Sequence, residues 1–359
     1  MAAPRAICSG VRPPPLARLR PGTPAARVDA RVVAFELVEG WYNARRRCSA
    51  IGSLSASDRE GGNLVMARAA APEMERDWPF EVRPLGPVLG AEVLGIDLDR
   101  AASPEIFPSI HAAWLRYQVL AFRGLEVPPA SQVAFAANFG EVQVHVMNQY
   151  HGADDHPELF VLNNLDENGR PSGRHPDKGT LEWHIDGSWN ARSGHSTFMY
   201  AERPSKAGGE THFCDMYGAY DGLSAAWKER VETLRVFHNL DFSRTRRHGH
   251  EPLSERQKAE VPPVAWPVVR THPETGRKAL FLGDHAEYVE GMDYDEGRAL
   301  IERMNRLFTP DHLVYRHSYA RGDFVFWDNR CTMHRATLYD TAKDTRVMRR
   351  CTVLVDEPY

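Results

Sequence analysis

From Phe80 onward the chain is cut into many short apolar segments by turn residues, and this spacing constrains its fold more than any other feature. Residues 80–85, 91–98, 119–122, 159–162, 182–186, 196–201, 210–214, 279–282, 324–327, 332–336 and 347–355 have strand lengths and strand-like composition. Gly86-Pro87 and Gly90 separate the first two. Helical spacing predicts helices over 104–118, where Ile106, Ile110, Ala113 and Trp114 share a face, about 130–139 with Gly140 as the stop, 219–234 and 295–308. Strands that so seldom alternate with helices argue for a closed or sandwiched all-β core with helices packed outside it. The expected fold is mainly β with flanking helices, built on a double-stranded β-helix, or jelly roll.

Residues 1–73 read differently. They hold 11 Arg, no Lys and 6 acidic residues, with proline-rich and arginine runs such as Arg12-Pro13-Pro14-Pro15 and Arg45-Arg46-Arg47. That composition suits a disordered extension better than a transit peptide, which would carry fewer acidic residues. A third reading places the true start at Met66 or Met74. Glu60-Gly61-Gly62 demands purine-rich codons, as a ribosome-binding site would, and 38 Arg against 6 Lys suggests a GC-rich genome. Residues 74–359 are then the functional domain, and they are net acidic, which counts against a nucleic-acid partner. No apolar run approaches the roughly 18 residues of a membrane span. Five cysteines without C-x-x-C spacing suggest neither a zinc knuckle nor a disulfide framework, and fit a reducing cytoplasm.

On the segment Trp183-His184-Ile185-Asp186, strand geometry would send the imidazole and the carboxylate to one face, since residues i and i+2 point the same way. A jelly roll can bring His334, 150 positions downstream, across to meet them. Two imidazoles and one carboxylate make the facial triad of non-haem iron(II) oxygenases. Alone, His-x-Asp is a common spacing, and one histidine among sixteen is more often a surface or satisfied core residue than a ligand.

Further blocks carry a resemblance. The run Pro84–Val93, Phe139-Gly140-Glu141 with His145, Trp183–Asp186, Gly208-Gly209-Glu210-Thr211, Trp327-Asp328-Asn329-Arg330 with Thr332-Met333-His334, and Arg349-Arg350-Cys351-Thr352 occur in order over about 280 residues. In these the chain resembles the taurine/2,4-D dioxygenase (TauD/TfdA) family of Fe(II)/2-oxoglutarate-dependent enzymes. The resemblance implies iron bound by His184, Asp186 and His334, with 2-oxoglutarate and O₂ as cosubstrates. It implies Arg350 as the clamp on the far carboxylate of 2-oxoglutarate, a bidentate pairing that Lys cannot mimic. Thr211 would add a hydroxyl bond to that carboxylate. Arg346 shares strand parity with Arg350, so it would support the same site or pair with Asp186. Arg349 has the opposite parity and stays a second choice for the clamp, because relatives space the last histidine and the arginine more tightly. His145 would contact substrate, although a structural role weighs equally. His272, in a His-Pro-Glu-Thr-Gly turn, reads as hairpin chemistry, and His285 has no assigned task.

Asp186 fills a position that halogenating relatives leave for chloride, so hydroxylation with release of succinate and CO₂ is expected. The substrate would be a small anionic organic molecule. Taurine-type members carry an arginine four residues past the cosubstrate arginine; here that position is Leu354, which argues against a taurine-like role. Tyr220-Asp221-Gly222-Leu223 and the block from Arg270-Thr271-His272-Pro273 to His285 resemble the aryloxyalkanoate branch more than the sulfonate or alkyl-sulfate ones. Two other classes compete: a zinc hydrolase using the same triad, and a jelly-roll binding protein without turnover. Neither a nucleic acid nor a membrane is an expected partner. Relatives are often homo-oligomers, so a dimer or tetramer is the inherited expectation.

Overall fold

The short apolar segments form sixteen strands among the residues described by the computed structural model, namely 78–147, 152–153 and 155–355. The extension 1–73, and with it the question of where the protein starts, lies outside them. In chain order the strands are β1 (Glu81–Pro84), β2 (Ala91–Leu94), β3 (Val119–Phe122), β4 (Gly152–Ala153), β5 (His156–Asn163), β6 (Gly194–Arg203), β7 (Thr211–Asp215) and β8 (Arg235–His238). They continue as β9 (Val264–Pro267), β10 (Val269–Thr271), β11 (Lys278–Leu280), β12 (Ala286–Val289), β13 (Val314–His317), β14 (Phe324–Asp328), β15 (Thr332–Ala336) and β16 (Val347–Leu354).

Eight strands make one large sheet in the order β1-β2-β3-β14-β6-β16-β5-β4, and β13-β7-β15 make a second sheet that packs against it. The central strands of the large sheet are buried on both faces, which is why they read as continuous apolar runs rather than as alternation. One face sends Val119, Ala121, Met199, Val325, Trp327 and Met348 inward to meet Phe213 of β7 and Tyr315 of β13. The other face sends Leu120, Phe122, Phe198, Phe324, Phe326 and Val353 outward against the helices Phe107–Tyr117 and Pro129–Ala137. Two packed sheets with helices outside are the expected jelly roll. A smaller β12-β8-β9 sheet and the β10-β11 hairpin gather with helix Tyr294–Phe308 around a third apolar cluster.

Three expected elements differ. The predicted helix over 219–234 is two helices, Met216–Asp221 and Ala225–Glu232. Gly222 closes the first, and Ser224 caps the second by accepting from the Trp227 amide. The strand expected over 91–98 stops at Leu94, because Gly95 takes a φ of +80° and Asp97 then caps a short helix, Leu98–Ala101. The strand expected over 182–186 does not form; only His184 pairs, through a single β-bridge to His334. No helix among the described residues is long and apolar enough to cross a membrane.

Candidate active site

That single bridge builds the site. His184 and His334 exchange both backbone hydrogen bonds at 2.9 Å, which sets their rings 4.2 Å apart, centroid to centroid. The chain then turns at Gly187, where φ is +68° and a Cβ would stand 2.7 Å from the Gly194 amide nitrogen, so the turn requires glycine. This turn, rather than the alternation of a continuing strand, carries the Asp186 carboxylate to the two imidazoles. Its oxygens lie 3.8 Å from His184 Nε2 and 3.5 Å from His334 Nε2. All three side chains are buried, and one donor atom from each falls within 4.8 Å of the others.

The charges are arranged for a cation. His184 Nδ1 donates to the Glu182 carbonyl at 2.8 Å, which leaves the lone pair on Nε2. Burial, followed by the nearby His184, pushes His334 well below the usual imidazole range, so it stays neutral. Burial alone would raise the Asp186 carboxyl, yet the Arg350 guanidinium beside it holds it well below the ordinary carboxylate range. Thr197 donates to Asp186 Oδ2 at 2.9 Å, and Asn329 donates to Thr197 at 2.9 Å. Two imidazoles and an ionised carboxylate are the donor set of a facial metal site. Neither Thr197 nor Asn329 was foreseen as a support; within the apolar text of β6 nothing distinguished Thr197.

The arginines divide differently from expectation. Arg350 Nη1 donates to Asp186 Oδ1 at 2.7 Å and its guanidinium lies over Phe160, so Arg350, not Arg346, pairs with Asp186. Arg346 is the one beside Thr211. Its Nη2 donates to the Gly209 carbonyl at 3.2 Å, two residues before Thr211, and its charge acts on Tyr319, whose hydroxyl donates to Thr211 Oγ1 at 3.0 Å. Arg346 is buried, pairs with no carboxylate among the described residues, and its Nε has no acceptor. The physical reason is strand entry. After β15 the chain returns along Gly208–Glu210, with Thr337 N bonded to the Glu210 carbonyl, and so enters β16 at the Thr211 end. Arg350 is four residues deeper, about 13 Å along an extended strand. Arg349 points to the other face, donating to the Val127 carbonyl.

A cavity of about 430 Å³ opens in front of Asp186. Its lining includes the apolar Met147, Phe160, Trp189 and Leu240 together with His184, Arg350 and the polar Asp177, Arg244, His250 and Glu251. His145 also lines it, packed edge-on against Phe160 and Trp189, with Nδ1 accepting from the Met147 amide at 3.1 Å. His285 lines it too, with its imidazole pushed down to about 4 by burial. His272 lies away from the cavity, bonded to Asp328 at 3.0 Å, while its Nδ1 accepts from the Glu274 and Thr275 amides of the hairpin turn.

Residues 81–352 match the family described as Taurine catabolism dioxygenase TauD, TfdA family. The chain is similar to the alpha-ketoglutarate-dependent 2,4-dichlorophenoxyacetate dioxygenase of Cupriavidus pinatubonensis, with 36% identity over 280 residues, 76% of this chain and 97% of the relative. It is 32% identical to the (S)-phenoxypropionate/alpha-ketoglutarate-dioxygenase of Sphingobium herbicidovorans, over 73% of this chain and 90% of that one. Among solved structures, AAD-2 in complex with Mn(II) and N-oxalylglycine aligns with a TM-score of 0.66 and 32% identity, covering 78% of this chain and 98% of that one.

Proposed function

The chain belongs to the TauD/TfdA family, and from that premise we propose that it is an iron(II)- and 2-oxoglutarate-dependent dioxygenase hydroxylating a small aryloxyalkanoate. Residues 74–359 are its catalytic domain in this reading. The observation that carries it is the pairing of an open, charge-poised His184–Asp186–His334 set with two separately placed arginines. The donor set fits iron(II), and buried Arg346, lacking a counter-charge, fits a second carboxylate. His184, Asp186 and His334 would hold the metal, and Arg346 with Thr211 the far carboxylate of 2-oxoglutarate. Bound iron(II) supplies oxygen activation coupled to decarboxylation of 2-oxoglutarate, which leaves as succinate and CO₂ while one oxygen atom enters a substrate C–H bond.

The chain's own residues do the rest. Thr197 and Asn329 fix the plane of the Asp186 carboxylate. Arg350, which lines the cavity beside Asp186, would take the substrate carboxylate there. Phe160, Trp189, Met147 and Leu240 offer an apolar slot for an aromatic ring and exclude water from the reacting C–H bond. Hydroxylation beside the ether oxygen gives a hemiacetal that falls apart to a phenol and a 2-oxo acid. His145 would contact the ring from the wall. With Arg346 as the clamp, the position four residues on is Arg350, so Leu354 no longer separates sulfonates from aryloxyalkanoates; the phenoxyalkanoate relatives support the choice. The free, buried thiols of Cys214, Cys331 and Cys351 suit the reducing cytoplasm proposed for it.

The test is direct. Anaerobic protein given Fe(II) and 2-oxoglutarate should develop a weak visible metal-to-ligand charge-transfer band. Aryloxyacetates and phenoxypropionates should then release phenol and succinate in equal amounts on admitting air, whereas taurine and alkyl sulfates release little. Folded, metal-loaded protein without the band would overturn the chemistry. A band with faster turnover of alkyl sulfates would overturn only the substrate. A zinc hydrolase is disfavoured because it has no use for the buried, unpaired Arg346.

A further inference from the structure

Beside Arg346 stands a residue that the reading above leaves without a task. Tyr319 follows β13 in a turn tied down on both sides. Ser318 Oγ donates to Glu210 at 2.7 Å, and the Ala320 amide donates to Asp323 at 2.8 Å. The ring packs edge-on against His317, with centroids 4.7 Å apart. Held this way, the hydroxyl reaches two atoms, Thr211 Oγ1 at 3.0 Å and the Met199 sulfur at 3.5 Å. A thioether is a weak acceptor, so the single phenolic hydrogen goes to Thr211.

A threonine hydroxyl has one hydrogen and two lone pairs. With a lone pair of Thr211 taken by Tyr319, its own hydrogen is left to donate, and among the described residues it meets no acceptor. Thr211 is 3% exposed, so bulk water does not supply one. Two donors without acceptors, the Thr211 hydroxyl and Arg346 Nε, are therefore buried around the Gly209–Thr211 strand entry. Buried donors without acceptors cost stability, and a carboxylate would satisfy both.

We propose that Tyr319 is a positioning residue for the cosubstrate: by donating to Thr211 Oγ1 it turns the Thr211 hydrogen toward the far carboxylate of 2-oxoglutarate. This rests on the reading that Arg346 and Thr211 bind that carboxylate. Tyr319 does so as a neutral donor, since burial pushes its phenol up to about 12. A purely structural role for the ring makes a different forecast, because phenylalanine would fill the same space.

The measurement is calorimetric binding of N-oxalylglycine and of 2-oxoglutarate to Mn(II)-loaded protein, which involves no turnover. Tyr319→Phe should weaken both by about threefold to tenfold, the loss of one hydrogen bond, with the melting temperature and Mn(II) affinity unchanged. Thr211→Val should weaken binding by more, and Thr211→Ser should restore it. Because Tyr319 acts through Thr211, the Tyr319→Phe/Thr211→Val double variant should bind no worse than Thr211→Val alone. Wild-type protein that fails to bind N-oxalylglycine would remove the underlying reading. Wild-type binding with an unaffected Tyr319→Phe, or with additive losses in the double variant, would overturn the positioning role alone. Should Tyr319→Phe not fold, Thr211→Val in the wild-type background still reads the hydroxyl, and equal affinity there overturns the proposal.

Discussion

Two groups of metal-ligating side chains are buried in the described part of this molecule, His184–Asp186–His334 and His272–Asp328–Cys331, each with its donor atoms within 4.8 Å. Composition and spacing do not tell them apart; hydrogen bonding does. Both oxygens of Asp328 are already occupied. Oδ1 accepts from the Arg330 amide at 2.9 Å and Nε at 2.8 Å, and Oδ2 accepts from Arg330 Nη2 at 2.8 Å and His272 at 3.0 Å. The His272 Nδ1 lone pair is used by two amides, so its hydrogen sits on Nε2 and points at Asp328. Burial, the largest effect, and the Asp328 charge push the Cys331 thiol up, which keeps it protonated. In the first group the tautomer runs the other way, with the His184 hydrogen sent out to Glu182 and the Nε2 lone pair turned in. The closed group is a neutralised brace between β14 and the hairpin; the open group is the metal site proposed here.

Substituting the two aspartates should break the molecule in opposite ways, and this is the largest effect expected. Asp186→Ala should abolish turnover and Mn(II) binding by equilibrium dialysis, with a smaller loss of stability, because the Arg350 guanidinium it leaves behind lines the cavity and can be hydrated there. Asp328→Asn should leave the buried Arg330 guanidinium with only the partly exposed Glu274 as a carboxylate partner and cost about 3 kcal/mol in denaturant unfolding. Turnover per folded molecule of that variant should remain near wild type. If Asp328→Asn instead lost metal while unfolding normally, the assignment of the two groups would be reversed.

The arginines sharpen the same contrast at the next level down. Arg346→Met should raise the 2-oxoglutarate requirement by about 10- to 100-fold, the scale of a lost charge-assisted bond, and Arg346→Lys should recover only part of it. Arg350→Met should chiefly raise KM for the aryloxyalkanoate, leaving N-oxalylglycine binding close to wild type. A swap of these two phenotypes would return Arg350 to the clamp role that the sequence suggested.

The sequence points to Arg350 as the clamp, and the reading proposed here moves that role to Arg346. Arg346 and Arg350 share strand parity, so alternation sends both to the inter-sheet face and cannot tell which one meets Thr211. That choice depends on where the chain after β15 crosses the Gly208–Glu210 entry of β7, which is tertiary information. The metal segment shows the same limit: residues 182–186 alternate like a strand, but only His184 pairs, because Gly187 turns the chain away. By contrast β3 and β15 were legible to the residue, since Val119–Phe122 is buried throughout between helix and sheet and Thr332–Ala336 is bounded by turn residues. The β12-β8-β9 sheet was missed because its strands are four residues each and lie on an outer layer where apolar runs are short. The helix break at Gly222-Leu223-Ser224 is legible in the sequence, since Ser224 is an ordinary N-cap signal.

The smallest test concerns the rim of the closed group. Glu274 accepts from Arg330 Nη1 at 2.6 Å and faces His111 at 3.1 Å. The His111 hydrogen bond, the largest cause, together with Arg330, holds its carboxyl down at about 2 against 4.5 for an ordinary glutamate. A carboxylate whose folded pKa is depressed binds its proton more readily when unfolded. Its stabilisation is therefore complete above pH 4.5 and is lost as pH falls toward 2. Glu274 is about one-third exposed, so solvent screening reduces the effect to about 1 kcal/mol or less. Glu274→Gln should flatten the unfolding free energy between pH 4.5 and 2 by that amount and leave the neutral-pH charge-transfer band unchanged. An unaltered acid limb in urea titrations would mean that Arg330 is fully neutralised by Asp328 alone, and the brace would end at the sheet rather than reaching helix Phe107–Tyr117 through His111.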